Sequence, residues 1–358
     1  MKICYFGAYD RAYARNFVLR RGLELNHVQV IECHIPVKTK LWKRYPCLLQ
    51  QFMRIPHVFD AILVAETNQY VMPLAKMLSV LTGKPLIFDI FFSLYDAYVK
   101  DRKSVTETSV KAKIFRALDR ISGRLADHVL ADTRQHLEYY HTEFQIPREC
   151  MSVIYVGYDD TIFFPTTFPD SFRNDSGFLV TFIGTFIPLH GIEYILHAAK
   201  QLEHDQAIRF EFIGKGQTYQ EMRTLADGLN VGNCVFHGAT DLENLPRSIA
   251  KSDLCLGIFG NTEKTTRVIP NKVFHALAMK KPIITGDTPA IREVFRDQYH
   301  LLLCPVANAT ALANTILRVK QDESLRTKIA ENGHQLVAAN FLPLVLGQQL
   351  KQLIQSLL

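Results

Sequence analysis

Phe178-Leu179-Val180-Thr181-Phe182-Ile183 runs directly into Gly184-Thr185-Phe186-Ile187-Pro188-Leu189-His190-Gly191, and this stretch decides the fold. The first part is a short apolar run rich in aromatic and β-branched residues, which predicts a strand buried on both faces. The glycine-bounded loop then hands the chain to a helical pattern near 191–203. Strand, tight loop and helix in alternation imply a parallel sheet with right-handed crossovers. Downstream, Ile208–Ile213, Cys234–His237, Leu254–Ile258, Pro282–Thr285 and Leu301–Cys304 predict further strands. Helical patterns near 217–229, 242–251, 271–281, 308–320 and 322–340 separate them. Upstream, Ile3–Phe6, Val28–Cys33, Ala61–Ala65, Pro85–Ile90 and Val129–Ala131 form an earlier series of the same kind. Amphipathic stretches Arg15–Asn26, Tyr70–Leu81 and Val110–Ala126 lie between its members.

The expected architecture is therefore α/β, with two doubly wound Rossmann-like domains facing across a cleft. The first spans 1–160 and the second 161–340. A C-terminal helix, 341–358, is expected to pack back on the first domain. The seam falls near Val156-Gly157-Tyr158-Asp159, ending at Phe164-Pro165. The segment after it, through Phe168-Pro169-Asp170 to Asn174-Asp175-Ser176-Gly177, is rich in turn residues and has no period.

The chain has 358 residues, enough for two domains. Hydrophobic residues make up 48% and charged residues 21%, which excludes a disordered, collagen-like or coiled-coil chain. The net charge of +6, from 41 Lys and Arg against 35 Asp and Glu, suits an anionic small molecule or membrane surface without requiring nucleic acid. No stretch approaches the roughly 18 apolar residues of a spanning helix. Met1-Lys2-Ile3-Cys4-Tyr5-Phe6-Gly7 turns polar too soon for a signal peptide and predicts a first strand. The 7 cysteines are scattered without C-x-x-C spacing, the pattern of a reduced, cytoplasmic protein with neither disulfide framework nor zinc site. The histidines lack metal-ligand spacing, so no metal is expected. Neither a G-x-S-x-G elbow nor a G-x-x-x-x-G-K-[ST] loop is present.

In parallel sheets, ligands sit beyond the carboxyl ends of strands, so the loops there are the candidate sites. Gly184–Gly191 is one: free N–H groups and the dipole of a following helix can receive an anion, although glycines also serve plain turn geometry. Phe212-Ile213-Gly214-Lys215-Gly216-Gln217 is another. The third, Gly257 to Lys272, is long and cationic and runs through Arg267-Val268-Ile269-Pro270-Asn271 into the helix Val273-Phe274-His275-Ala276-Leu277-Ala278-Met279. Arg267 and Lys272 thus flank a helix start, which suits a phosphate group; a solvated cationic loop is the plainer alternative. In the first half, Gly7 ends a strand. Phe88-Asp89-Ile90-Phe91-Phe92-Ser93-Leu94-Tyr95-Asp96 places Asp89, Ser93 and Asp96 where they could bind a hydroxyl-rich acceptor. Asp96 could instead cap a helix or pair with Arg102, and Asp132-Thr133 predicts a cap for the helix Arg134–Phe144. Val37 to Arg54 interleaves cations with Leu41, Trp42, Tyr45, Leu48, Leu49, Phe52 and Met53, a composition that fits an anionic bilayer or a basic-edged core helix.

Taken together, Val156-Gly157-Tyr158-Asp159, Gly184–Gly191, Phe212–Gly216, Ile249-Ala250-Lys251-Ser252-Asp253-Leu254-Cys255-Leu256 and above all Ile269-Pro270-Asn271-Lys272-Val273-Phe274-His275-Ala276-Leu277-Ala278-Met279-Lys280-Lys281-Pro282 resemble GT-B-fold glycosyltransferases of family 4, the group 1 type. The resemblance covers almost the whole chain. It implies a nucleotide-sugar donor in the C-terminal domain and a glycan, lipid-linked or small-molecule acceptor in the N-terminal one. It also implies transfer with retention, no bound metal and no cofactor beyond the donor. The expected donor-binding residues are Gly184, Thr185, His190, Gly214, Lys215, Arg267, Ile269, Pro270, Asn271, Lys272 and His275; the expected catalytic residues are Asp89, Arg267 and Lys272, and the expected acceptor-binding residues are Gly7, Asp89, Ser93 and Asp96. The expected location is the cytoplasm, peripheral at the inner face of a membrane if 37–54 lies on lipid.

The sequence departs from the family pattern. Arg267 and His275 stand where the family has two glutamates seven residues apart. Thr185 and His190 replace the usual arginine and lysine of the phosphate loop. Phe88-Asp89 stands where the acceptor domain usually carries a histidine. Arg267 and Lys272 would compensate by keeping a cationic cradle, and His275 could still meet a ribose hydroxyl. Three other functions fit parts of the sequence. One is an impaired GT-B protein that binds nucleotide and supports a partner, and another is a sugar-nucleotide epimerase. A nicotinamide enzyme is the third, disfavoured because Gly7-Ala8-Tyr9-Asp10 replaces G-x-G-x-x-G.

Overall fold

The computed structural model describes residues 1–166 and 177–358. The turn-rich stretch expected from Phe168 to Ser176 lies outside the described residues. The chain divides into two compact units, Met1–Asp159 with Asn340–Leu358, and Asp160–Ala339.

In the first unit, β1 (Lys2–Ala8), α1 (Ala14–Leu25), β2 (Gln29–Ile35), α2 (Leu41–Arg54), β3 (Ala61–Val64) and α3 (Met72–Thr82) alternate. They are followed by β4 (Leu86–Asp89), α4 (Val110–Leu125), β5 (His128–Ala131), α5 (Arg134–Phe144) and β6 (Met151–Val153). The strands form one parallel sheet in the order β2-β1-β3-β4-β5-β6. Strands β3, β4 and β5 are buried along their whole length, as strands covered by helices on both faces must be. The short edge strand β6 was not apparent from sequence, because three residues carry no readable alternation.

The second unit carries β7 (Phe178–Ile183), α6 (Ile192–Gln201), β8 (Ile208–Ile213), α7 (Tyr219–Leu229), β9 (Cys234–His237), α8 (Leu245–Lys251) and β10 (Leu254–Leu256). It continues with α9 (Asn271–Ala278), β11 (Ile283–Gly286), α10 (Pro289–Arg292), β12 (Leu302–Cys304), α11 (Ala309–Gln321) and α12 (Glu323–Asn340). Its parallel sheet runs β12-β11-β10-β7-β8-β9. The chain enters at β7, builds outward through β8 and β9, then crosses back to β10 on the other side of β7. Helices leaving β7 and β10 therefore diverge, and a crevice opens at the carboxyl ends of these two strands.

The last helix, α13 (Pro343–Ser356), packs on α1 of the first unit, as expected. The two helices approach glycine to glycine: a Cβ built on Gly347 would lie 2.1 Å from the backbone of Gly22. Asn26 Nδ2 donates to the carbonyl of Leu344 at 2.8 Å, and Lys351 Nζ donates to the carbonyl of Asn26 at 2.9 Å. All seven cysteines are free thiols. No described helix is long and apolar enough to cross a membrane.

Candidate functional site

The loop after β7 begins at Gly184, and the helix α9 begins at Asn271 with Pro270 in the capping position just before it. Pro270 therefore precedes the helix instead of occupying its first turn; its carbonyl accepts from the N–H of Val273 at 2.9 Å. Ile269 is buried behind it. This geometry sends the Lys272 side chain over Gly184. A Cβ on Gly184 would lie 2.6 Å from Lys272 Nζ and 3.1 Å from His190 Cε1, so only glycine admits the ammonium here. The Nζ stands 3.8 Å from the centre of the Phe182 ring. The His190 ring meets the same phenyl edge-on, with centroids 5.5 Å apart.

Lys272 Nζ is buried and has no hydrogen-bond partner among the described residues. Burial pushes its ammonium well below the usual lysine range. A desolvated cation–π contact contributes about 2 kcal/mol, less than the several kcal/mol lost by taking an ammonium out of water. Among the described residues this amine has lost its hydration and gains no hydrogen-bond partner in exchange. His275, one turn further along α9, is pushed down to about 3 by burial and then by the Lys272 charge, so its imidazole is neutral. Its ring stacks on Phe163 at 3.9 Å with 6° between planes, and its buried Nε2 has no partner among the described residues. Buried polar atoms are nearly always satisfied, so two such atoms one helical turn apart point to a polar ligand.

The other expected donor residues are distributed around this pair. Gly214 abuts the carbonyl of Gly184, where an added Cβ would approach to 2.0 Å. Lys215 is exposed with its stem against Gly238, and Thr185 is exposed on the loop. Arg267 is turned toward a carboxylate: its Nη1 lies 3.8 Å from Glu263. Of the two residues expected to form a cradle, the structure brings Lys272 to Gly184 and turns Arg267 toward Glu263. Phe182 and Phe163 escaped the sequence reading, because a phenyl in a buried strand reads as core and one in a turn-rich seam as linker. Elsewhere in the unit a cavity of about 850 Å³ opens between α6 and α7, lined by Pro188, Met222, Leu225 and the carboxylates of Glu193 and Glu221.

In the first unit the expected acceptor residues are bound up in structural contacts. Asp89 is fully buried, and both its oxygens accept from Arg15 at 2.8 Å, from Nε and from Nη2. Arg15 also donates to the carbonyls of Ile154 and Tyr155. Ser93 Oγ donates to Asp119 at 2.8 Å and accepts from the N–H of Asp96 at 3.0 Å. Asp119 accepts further from the N–H groups of Leu94 and Tyr95, and burial raises its carboxyl to about 6. Asp96 opens a single π-turn, Asp96–Asp101, and faces His136 Nε2 at 3.7 Å. His136 Nδ1 bonds Asp132 at 2.5 Å; burial alone would discharge the ring, but the Asp132 and Asp96 carboxylates outweigh it and raise its pKa. Thr133 caps α5 as expected, accepting from the N–H of His136. The polar atoms of Asp89 and Ser93 are thus engaged within the domain.

Gly7 lies against the amide of Asn68, which accepts from the N–H of Ala8 at 2.8 Å and ties the loop after β1 to the loop after β3. Beside it, Glu66 accepts from Asn16 Nδ2 at 3.3 Å. Burial first, and the Asp89 charge second, raise the Glu66 carboxyl to about 7. The native state then holds this proton more tightly than the unfolded chain, so stability falls as pH rises from the ordinary carboxyl range through about 7. Glu66→Gln keeps an acceptor for Asn16 and cannot ionise. Urea unfolding is expected to show little difference from wild type near about pH 5 and a gain of up to roughly 3 kcal/mol near about pH 8. An equal effect at both values would remove the buried ionisation as its cause.

Residues 163–336 match the family described as glycosyl transferases group 1. The chain is 24% identical over 154 residues to an uncharacterized glycosyltransferase of Methanocaldococcus jannaschii, spanning 43% of this chain and 41% of that protein. It is 22% identical over 282 residues to the alpha-D-kanosaminyltransferase of Streptomyces kanamyceticus, spanning 76% of this chain and 71% of that protein. Among solved structures it superposes on Anabaena HepE in complex with UDP-glucose with a TM-score of 0.75, at 17% identity over 99% of this chain and all of that one. It superposes on the sucrose-phosphate synthase of Thermosynechococcus elongatus with a TM-score of 0.77, at 17% identity over 99% of this chain and 98% of that one. These likenesses establish the GT-B fold.

Proposed function

We propose that this chain, whose residues 163–336 belong to the group 1 glycosyl transferase family, moves a sugar from a nucleoside-diphosphate donor to an acceptor hydroxyl. The observation that carries the reading is the buried, unpartnered ammonium of Lys272 above Gly184, in the crevice between β7 and β10. A diphosphate would supply the missing counter-charge, and burial would make that interaction strong. The neutral His275, through Nε2, would hydrogen-bond a ribose hydroxyl. HepE, with a similar fold, has been solved with UDP-glucose, which supports a nucleotide-sugar donor here.

The reaction breaks the bond between the anomeric carbon and the terminal phosphate oxygen and forms one to the acceptor oxygen. The acceptor proton leaves with the departing phosphate. Charge grows on the diphosphate as the bond breaks, and Lys272 meets it with a preorganised cation; this is electrostatic stabilisation with positioning and needs no covalent nucleophile. We infer retention of configuration and a glycan, lipid-linked or small-molecule acceptor, with no resident metal or cofactor.

A thermal-shift screen with UDP, GDP and ADP tests the donor site, since a ligand held only by the native state raises the melting temperature. At least one is expected to stabilise. The matching nucleotide sugars, incubated with an acceptor panel, should then release free nucleoside diphosphate. Binding without release would favour a nucleotide-binding partner protein, and no stabilisation by any of them would remove the donor site.

A further inference from the structure

We propose that the outward faces of α2 and α4 together dock the N-terminal unit on an anionic lipid bilayer. The inference goes beyond the donor site and does not depend on it. The sequence pointed to the α2 segment alone; the structure adds a second helix with the same pattern. On α2, Trp42, Pro46, Leu49 and Met53 follow one another at intervals of four, three and four residues, and all are exposed. Leu48 and Phe52 of the same helix face the core. On α4, Val110, Ile114, Ala117 and Ile121 repeat that spacing and are also exposed, while Ala112, Phe115, Asp119 and Ser122 face inward. A helix that carries apolar residues outside the face it buries has a stripe left over after the core is built. Trp42 is 71% exposed and Val110 is 73% exposed.

The two stripes lie on one side of one sheet. Each helix follows its strand by a right-handed crossover in the same direction, β2 to β3 and β4 to β5. Both helices rest on the turn Gln69–Val71. Tyr45 of α2 donates to the carbonyl of Tyr70 at 3.0 Å, and Ser122 of α4 donates to the carbonyl of Gln69 at 3.0 Å. Gln69 Nε2 in turn donates to Asp119 of α4 at 3.1 Å. The turn fixes the two helices relative to each other.

Charge selects the occupant. Lys43 and Arg54 border the α2 stripe, and Lys113, Arg120 and Arg124 border that of α4. Residues 36–59 contain no Asp or Glu, and the acid within α4, Asp119, is buried on the inner face. A second copy docked through this face would set lysine and arginine against lysine and arginine. An anionic headgroup layer over acyl chains matches both features, with apolar stripes entering the interface and flanking cations meeting phosphate. Tryptophan, amphipathic at its indole N–H, suits that depth.

Trp42 is the only tryptophan in the sequence, so its fluorescence reports this surface directly in the full chain. At low salt, phosphatidylcholine vesicles with about a third phosphatidylglycerol should shift its emission to the blue, and vesicles of phosphatidylcholine alone should not. Co-sedimentation should follow the same order and weaken with salt. Ile114→Gln with Ile121→Gln leaves Trp42 untouched and should weaken binding by roughly tenfold or more, from lost apolar burial. Circular dichroism and nucleoside diphosphate binding should be unchanged in that variant, which separates this test from that of the donor site. No emission shift at low salt would overturn the proposal. Undiminished binding by the α4 variant would overturn the joint surface. A dimer in light scattering that the α4 variant converts to monomer, without vesicle binding by either protein, would assign the face to a second copy.

Discussion

Replacing Lys272 by methionine is expected to weaken nucleoside diphosphate binding by roughly ten- to a hundredfold and to raise the melting temperature of the unliganded protein. The two effects have one cause. Among the described residues the amine buried over Gly184 has no hydrogen-bond partner, so folding must either strip the ammonium of water or discharge it. Methionine fills similar volume, keeps contact with Phe182 and removes the charge. A ligand phosphate then finds no cation, losing a charge-assisted contact of about 1.5–3 kcal/mol. The pH dependence follows in sign. Burial holds Lys272 below the usual lysine range, so the unfolded chain binds its proton more tightly than the native state does. Unliganded stability should therefore rise with pH toward the ordinary lysine range, and the variant should lack that rise. Diphosphate binding favours the charged amine, so calorimetry in buffers of different ionisation enthalpy should show proton uptake by wild type and less by the variant. Arg267→Ala, whose guanidinium already faces Glu263, should weaken binding less than Lys272→Met. Equal diphosphate affinity of Lys272→Met and wild type would remove this lysine from the site.

The sheet was legible because buried parallel strands announce themselves. The runs Phe178–Ile183, Ile208–Ile213 and Cys234–His237 are strands with those same bounds in the structure. Boundaries slipped where caps compete. Tyr70–Leu81 reads as one helix, but the chain makes a 3-10 turn, Gln69–Val71, before α3, with Pro73 in its first turn. The candidate site was legible in its backbone and less so in its side chains. A loop between a strand and a helix start shows in sequence, whereas the direction of a guanidinium does not. Arg267 and Lys272 are equivalent as text, and only the local turn Glu263–Thr266 decides that one meets Glu263 and the other reaches Gly184. Asp89 shows the limit more sharply. Its partner Arg15 lies 74 residues away in sequence, and nothing local announces a pairing at that distance.

That pairing sets the second large effect. Asp89→Ala is expected to cost about 3–5 kcal/mol of stability, because it leaves the guanidinium of Arg15 buried without its carboxylate. Side chains of both residues have no exposed surface, so water cannot take the place of the lost oxygens. Arg15→Met should cost a similar amount for the mirror reason, leaving a buried carboxylate that must protonate or move. Removing both charges, as Arg15→Met with Asp89→Leu, should recover much of the loss, since a buried ion pair is often no more stabilising than a packed apolar pair. Recovery would be partial because Arg15 also holds the carbonyls of Ile154 and Tyr155, which follow β6. Asp89→Asn separates this role from one in transfer. The amide keeps the shape and one acceptor but weakens the pair, so the denaturation midpoint should fall while kcat per folded molecule changes little. If Asp89 instead met the acceptor hydroxyl, turnover would collapse in Asp89→Asn while the midpoint stayed near wild type. A buried carboxylate with both oxygens on one guanidinium predicts the first outcome.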